Sequence, residues 1–123
     1  MDFIELNFDP SIRYQRKILT ISPDDYTRRV RVDLRYLNET EKWYLSIYDA
    51  QSGEAFLTYV PLIASYINFD DPSVDEINDL LAPFHYKNLG TIICIPNVDN
   101  PTTKDPTLDN LNQFSVVWGD ALV

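Results

Sequence analysis

The stretch Trp43-Tyr44-Leu45-Ser46-Ile47-Tyr48-Asp49 decides the fold class. Trp43, Leu45 and Ile47 fall on one side of an extended chain, and Tyr44, Ser46 and Tyr48 on the other. Period-two alternation in β-favouring residues marks a half-buried strand, and Ala50-Gln51-Ser52-Gly53 then supplies a turn. Just before it, Tyr26 to Leu37 alternates Val30, Val32, Leu34 and Tyr36 with Arg29, Arg31, Asp33 and Arg35. A slip of one residue would carry four charged side chains into the core, so the register is pinned. The polar turn Asn38-Glu39-Thr40-Glu41 joins the two strands as an antiparallel hairpin.

Working outward, Ile4, Leu6 and Phe8 mark a short opening strand that Asp9-Pro10-Ser11 breaks. Ile18-Leu19-Thr20-Ile21 marks a second, closed by the turn signal Ser22-Pro23-Asp24-Asp25. Glu54 to Val60 returns after Gly53 and stops at Pro61, and Leu62 to Phe69 has no clear period. Ser73-Val74-Asp75-Glu76 has the spacing of a capping box. Val74, Ile77, Leu80 and Leu81 then recur at helical intervals up to Pro83, which predicts one short helix of about two or three turns.

Leu89 to Ile95 reads as a strand buried on both faces, and Phe114, Val116 and Trp118 share a face of a last strand. Between them lies a loop with Pro96, Pro101 and Pro106; loops of this length are usually functional or mobile. The expectation is one all-β domain over residues 1–123. It is mainly antiparallel, a small barrel or sandwich, with one short helix and a long Pro-containing loop at 96–111.

A hydrophobic fraction of 45% with 13% aromatics predicts a packed core. The net charge of -9 weighs against direct binding to nucleic acid, whose phosphates would repel the chain. The charge is also unevenly placed. Residues 11–42 carry eight Lys or Arg against five acids, and residues 43–123 carry two against eleven. Such a split can steer a partner, or further copies of the chain, into a fixed orientation. Cys94 is the single cysteine, so no intrachain disulfide is possible and a reducing compartment fits. Acids at Asp2, Glu5 and Asp9 replace the basic start of a secretory leader, and no apolar run reaches membrane-spanning length.

Signals for catalysis are weak. His85 is the one histidine, which excludes a two-His metal site, and no nucleophile elbow, P-loop, dinucleotide fingerprint or CxxC occurs. Asp70, Asp71, Asp75, Glu76 and Asp79 lack the spacing of a cation loop, and the last three sit where a helix N-terminus favours acids. Tyr44, Tyr48, Trp43 and Trp118 could stack on a sugar, but large aromatics more often fill small β cores. The reading is a non-enzyme without cofactor or metal. Its candidate assembly surface is Arg28, Arg29, Arg31 and Arg35 together with Asn97, Asp99 and Asp105 of the long loop.

The landmarks stand in a recognisable order. A short first strand and Ile18-Leu19-Thr20-Ile21 precede the Arg-rich strand and the Trp43 to Asp49 strand with its Gly53 turn. Gly90-Thr91-Ile92-Ile93-Cys94-Ile95 follows, then a Pro-containing acidic loop through Asp109-Asn110-Leu111 and the ending Val116-Val117-Trp118. Over roughly residues 2 to 119 this resembles the small baseplate plug proteins of contractile-tailed phages, a family described from cyanophage baseplates. It departs from the family pattern at 60–88, which is longer and more aromatic.

The resemblance implies a virion structural part at the tail hub near the tube axis, present in the host cytoplasm before assembly. It implies contacts with other tail and hub proteins in a symmetric multimer, often of three copies. It carries no catalytic residues. The alternative from composition is a small acidic inhibitor that mimics nucleic acid.

Overall fold

Strand alternation becomes two sheets in the computed structural model, which describes residues 3–66, 71, 73 and 75–120. The strands are β1 (Ile4–Leu6), β2 (Tyr14–Ile21), β3 (Arg28–Leu37), β4 (Lys42–Asp49), β5 (Ala55–Pro61), β6 (Thr91–Pro96) and β7 (Phe114–Gly119). β2, β3, β4 and β5 form one antiparallel sheet in chain order, while β1 and β6 flank β7 in the other. The architecture is all-β and sandwich-like.

The hairpin forms in the register that alternation demands, with Val32 opposite Ile47 and Leu34 opposite Leu45. Val30, Val32, Leu34, Trp43, Leu45 and Ile47 are fully buried. They share one core with Leu6, Ile92, Cys94, Val116 and Trp118 of the second sheet. Burying each aliphatic side chain of this size contributes about 1.5–3 kcal/mol, which is why a register slip is not tolerated. The turn after β4 is set by Asp49, whose carboxylate accepts the Ser52 N–H at 2.9 Å and the Gln51 N–H at 2.8 Å. Those two bonds, Ser52 first, hold the Asp49 carboxyl below its ordinary pKa. Gly53 closes the turn at φ 76, a conformation that only glycine adopts without strain.

The segment 75–81 departs from expectation. The longest helical element among the described residues is a 3-10 turn at Ala82–Lys87, which overlaps only the end of the predicted helix; shorter 3-10 turns lie at Pro23–Asp25 and Leu111–Gln113. Val74, part of the expected capping box, lies outside the described residues. Glu76 and Tyr66 exchange backbone hydrogen bonds at 2.7 and 2.8 Å, and the Leu80 N–H donates to the Ile92 carbonyl at 2.9 Å. The backbone donors are thus committed to neighbouring strands, and Leu80 and Leu81 enter the core side by side while Ile77 stays 47% exposed. The helical spacing of these residues is incidental to an extended segment that covers the edge of β6.

The loop at 96–111 is anchored rather than free. Asn110 is 2% exposed, and its side-chain oxygen accepts from the Thr107 N–H at 2.6 Å and the Thr107 hydroxyl at 2.8 Å. The Gln113 carboxamide oxygen accepts the Thr102 N–H at 2.8 Å, and the Tyr66 hydroxyl donates to the Lys104 carbonyl. One buried carboxamide and two half-buried side chains paired in this way hold the loop against the body of the domain.

Candidate interaction face

The second face of the four-stranded sheet looks outward, and register decides what lies on it. β2, β3 and β4 align Tyr14 with Arg35 and Tyr44, Arg16 with Asp33 and Ser46, and Ile18 with Arg31 and Tyr48. The face is therefore built in three cross-strand rows, the units through which sheets gain side-chain energy.

The middle row holds the charge. The Asp33 side chain is 8% exposed, and its Oδ1 lies 3.1 Å from Arg16 Nε and 3.4 Å from Arg31 Nε. The Tyr14 hydroxyl donates to Oδ2 at 3.1 Å. A carboxylate taken this far out of water needs such partners, since an unpaired one costs several kcal/mol. Arg16 Nη2 also donates to the Tyr14 hydroxyl at 3.2 Å. That bond, followed by Asp33, holds the Arg16 guanidinium above its ordinary pKa.

In the outer rows arginine meets aromatic. The Arg31 guanidinium sits 4.0 Å from the Tyr48 ring centroid, and that of Arg35 sits 4.5 Å from Tyr14. Arg35 Nη1 donates to the Tyr59 hydroxyl at 3.2 Å, and Tyr59 meets Tyr44 edge-on at 6.3 Å. Each such cation–π contact contributes about 0.5–1 kcal/mol at an exposed site. Its larger effect is to fix the guanidinium, so that a partner which binds it loses less side-chain entropy.

Arg31 and Arg35 thus belong to one built surface, with Arg29 exposed on the same face opposite Thr20. Arg28 has the opposite parity. Its guanidinium lies 4.4 Å from the Tyr26 ring and 5.1 Å from the Phe56 ring at the end of the sheet. The three loop residues follow β6 in the other sheet and do not join the arginines in one site. Asp105 Oδ1 accepts the Ala64 N–H at 2.8 Å, and the Asn97 amide donates to the Asn112 carbonyl at 3.1 Å, so both are braces. Asp99 is exposed. Tyr14, Arg16 and Tyr59 complete the arginine face without having been singled out in the sequence. Only the β2–β3 register places the first two, and an irregular stretch of β5 places Tyr59, at φ 53.

Other chemistry is modest. His85 Nε2 lies 2.6 Å from Asp79 Oδ2, and the Thr91 hydroxyl donates to the same oxygen at 3.2 Å. Asp79 Oδ1 also accepts the Leu81 N–H at 2.9 Å, so the carboxylate ties the 3-10 turn to β6. Among the described residues no three His, Cys, Asp or Glu side chains gather as a metal site; Asp70 lies outside them. No helix of the described residues is long and apolar enough to cross a membrane. Trp43 and Trp118 are fully buried, and one face of Tyr48 is covered by Arg31, which leaves little of the aromatic set for stacking on a sugar. Neither the protein-family models nor the curated proteins compared with the chain match it.

Proposed function

We propose that this chain is a plug-like structural component of a phage tail baseplate hub. It acts by protein–protein assembly near the tube axis, with other hub proteins and symmetry-related copies as neighbours, and it resides in the virion. The order of sequence landmarks supports this reading. The observation that carries it is the pre-ordered cationic face on an otherwise acidic chain. Arg16 and Arg31 flank the Asp33 carboxylate, with Arg29 and Arg35 on the same face, while residues 43–123 hold eleven acids against two bases. Opposite fields on one molecule favour head-to-tail contacts, in which one copy's cationic face meets a neighbour's acidic surface and fixes its register.

The acidic-mimic alternative has less support. Mimicry wants carboxylates free along one face, whereas Asp33, Asp49, Asp79 and Asp105 all accept bonds from their own chain. The test uses charge reversal. Arg29→Glu, together with the triple change of Arg29, Arg31 and Arg35 to Glu, should lower and then abolish incorporation into assembled baseplates. Arg29→Glu should leave the melting temperature unchanged, because the Arg29 side chain takes no part in the three rows. A tagged chain should capture identified tail hub proteins from infected cells. Capture of a nuclease or polymerase, or normal incorporation of the triple variant, would reject the reading.

A further inference from the structure

A sheet edge either carries a neighbour or is protected from one. Of the edges among the described residues, three are closed or blunted. β1 is only three residues long. β6 is covered by the Ser65 N–H donating to the Cys94 carbonyl at 2.6 Å and by Leu80 bonded to Ile92. β5 is irregular at Tyr59, ends at Pro61, and gives the Phe56 carbonyl to the Lys87 ammonium.

β2 is different. It is eight residues long and pairs in unbroken register with β3 alone. The Tyr36 N–H donates to the Arg13 carbonyl at 2.8 Å, which fixes the parity of the ladder. Gln15, Lys17, Leu19 and Ile21 point their backbone groups at β3. Tyr14, Arg16, Ile18 and Thr20 turn theirs to the open side. Ile18 is 55% exposed there, and a groove of about 340 Å³ runs along the edge between Glu5, Leu6 and Asn7 on one side and Lys17, Ile18 and Leu19 on the other.

We propose that β2 is a docking edge that takes an acidic extended segment of a partner protein as an added strand. The sign comes from the edge itself. Ser11 to Ser22 carries Arg13, Arg16 and Lys17 and no acid, on a chain whose net charge is -9. Lys17 points to the inner side of the sheet, with its ammonium 6.0 Å from the Phe8 ring centroid. A second copy of β2 would bring three more cations to an edge that already carries three, which adds repulsion and no counterion. An acidic strand would supply carboxylates for Arg13 and Lys17 beside the Arg16 that Asp33 already pairs, place an apolar residue beside Ile18, and bond four outward-facing residues of backbone. This inference rests on reading the chain as a binding module. It can fail while the Arg29 incorporation test succeeds, and the reverse also holds.

The experiment pans a displayed library of random dodecapeptides on the immobilised full chain, then measures binding of the enriched peptides. These should be net negative with apolar residues at every second position, and should bind more weakly as salt rises. On binding, amide exchange should slow at Tyr14, Arg16, Ile18 and Thr20. Ile18→Pro removes one outward N–H without touching the β3 ladder, so it should keep the wild-type melt and weaken binding about tenfold or more. Thr20→Pro serves as the second variant should Ile18→Pro fail to fold. Enrichment of neutral or basic peptides, protection of other amides, binding indifferent to both prolines, or no enrichment at all overturns the proposal. So does self-association of the chain that Ile18→Pro abolishes.

Discussion

The indole N–H of Trp43 donates to the carbonyl oxygen of Thr107 at 2.8 Å, across 64 positions of sequence. The strand that decides the fold therefore also anchors the long loop. The same indole meets Tyr36 edge-on at 5.3 Å, so its ring is held by the core and its one polar atom by the loop. That bond, with the Asn110 and Gln113 contacts, explains why a loop with three prolines and little regular structure stays in one place.

Replacing Trp43 with Phe should therefore separate the two roles. The ring remains apolar, but the Thr107 carbonyl loses its donor and a volume is left unfilled. A loss of about 2–3 kcal/mol in urea unfolding is expected, from the unsatisfied acceptor and the cavity together. Native-state hydrogen exchange should show the loosening concentrated at residues 103–110. Equal loosening of β6 and β7 would show that the hydrogen bond does not govern the loop.

Two glycines that meet across the second sheet should differ sharply when given a side chain. A Cβ at Gly90, where φ is 80, would lie 2.1 Å from the Gly119 carbonyl oxygen and 2.7 Å from Pro23 Cβ. Backbone cannot retreat from such a clash, and the left-handed conformation adds strain. Gly90→Ala should cost about 3 kcal/mol or more, or prevent folding. The nearest atoms that a Cβ at Gly119 would meet belong to the Phe3 ring, at 2.5 Å, a side chain 44% exposed rather than backbone. Gly119→Ala should cost about 1 kcal/mol, and Phe3→Ala should recover part of it. Equal losses in thermal melts would contradict this ranking.

How far the sequence could be read follows from where each signal lives. The hairpin was legible because Val30, Val32 and Leu34 answer Trp43, Leu45 and Ile47 within a short span, and both strands carry period two. The strands at 4–6, 91–96 and 114–119 were legible singly, but their partition into a second sheet was not, because β1 pairs β7 from the far end of the chain. The helix misreading has a plain cause. Ile77, Leu80 and Leu81 fit a 3.6-residue period, yet Tyr66 and Ile92 claim the backbone bonds of Glu76 and Leu80. Tertiary pairing overrode the local pattern. At the arginine face, alternation placed Arg29, Arg31 and Arg35 correctly. It also showed Arg28 to be out of phase, but adjacency in sequence drew Arg28 into the set. Asp33 gave no sign of standing at the centre, since only the β2 register brings Arg16 and Tyr14 to it.

Burial pushes the Cys94 thiol up to about 12 from its ordinary 9.0, with Asp105 adding to the effect. The unfolded chain releases its thiol proton near pH 9, and the native chain holds it until about pH 12. Within that window the native state binds more protons, so stability falls as pH rises and is unaffected well below pH 9. The slope from this group is about 1.4 kcal/mol per pH unit. Urea melts at pH 8, 9 and 10 should show Cys94→Ala losing this part of the alkaline slope. Some slope should remain from Tyr66, whose phenol burial also raises. A thiol reagent should react with the wild-type chain only as fast as the protein opens.

Asp33 is the point at which the candidate face can be taken apart without touching the core beneath it. Asp33→Asn keeps the shape, removes the charge and leaves Arg31 without its counterion. Because the Arg31 side chain is 26% exposed and stays stacked on Tyr48, water and the ring absorb part of the loss. A cost of about 1–2 kcal/mol is expected, below the 3–5 of a fully buried pair. Arg31→Met in the Asp33→Asn background should cost less than in the wild type, a coupling of about 0.5–1.5 kcal/mol in a double-mutant cycle. A coupling of zero would mean that the guanidinium is held by Tyr48 alone. The face would then be a set of independent cation–π pairs, and the incorporation tests would turn on those tyrosines rather than on Asp33.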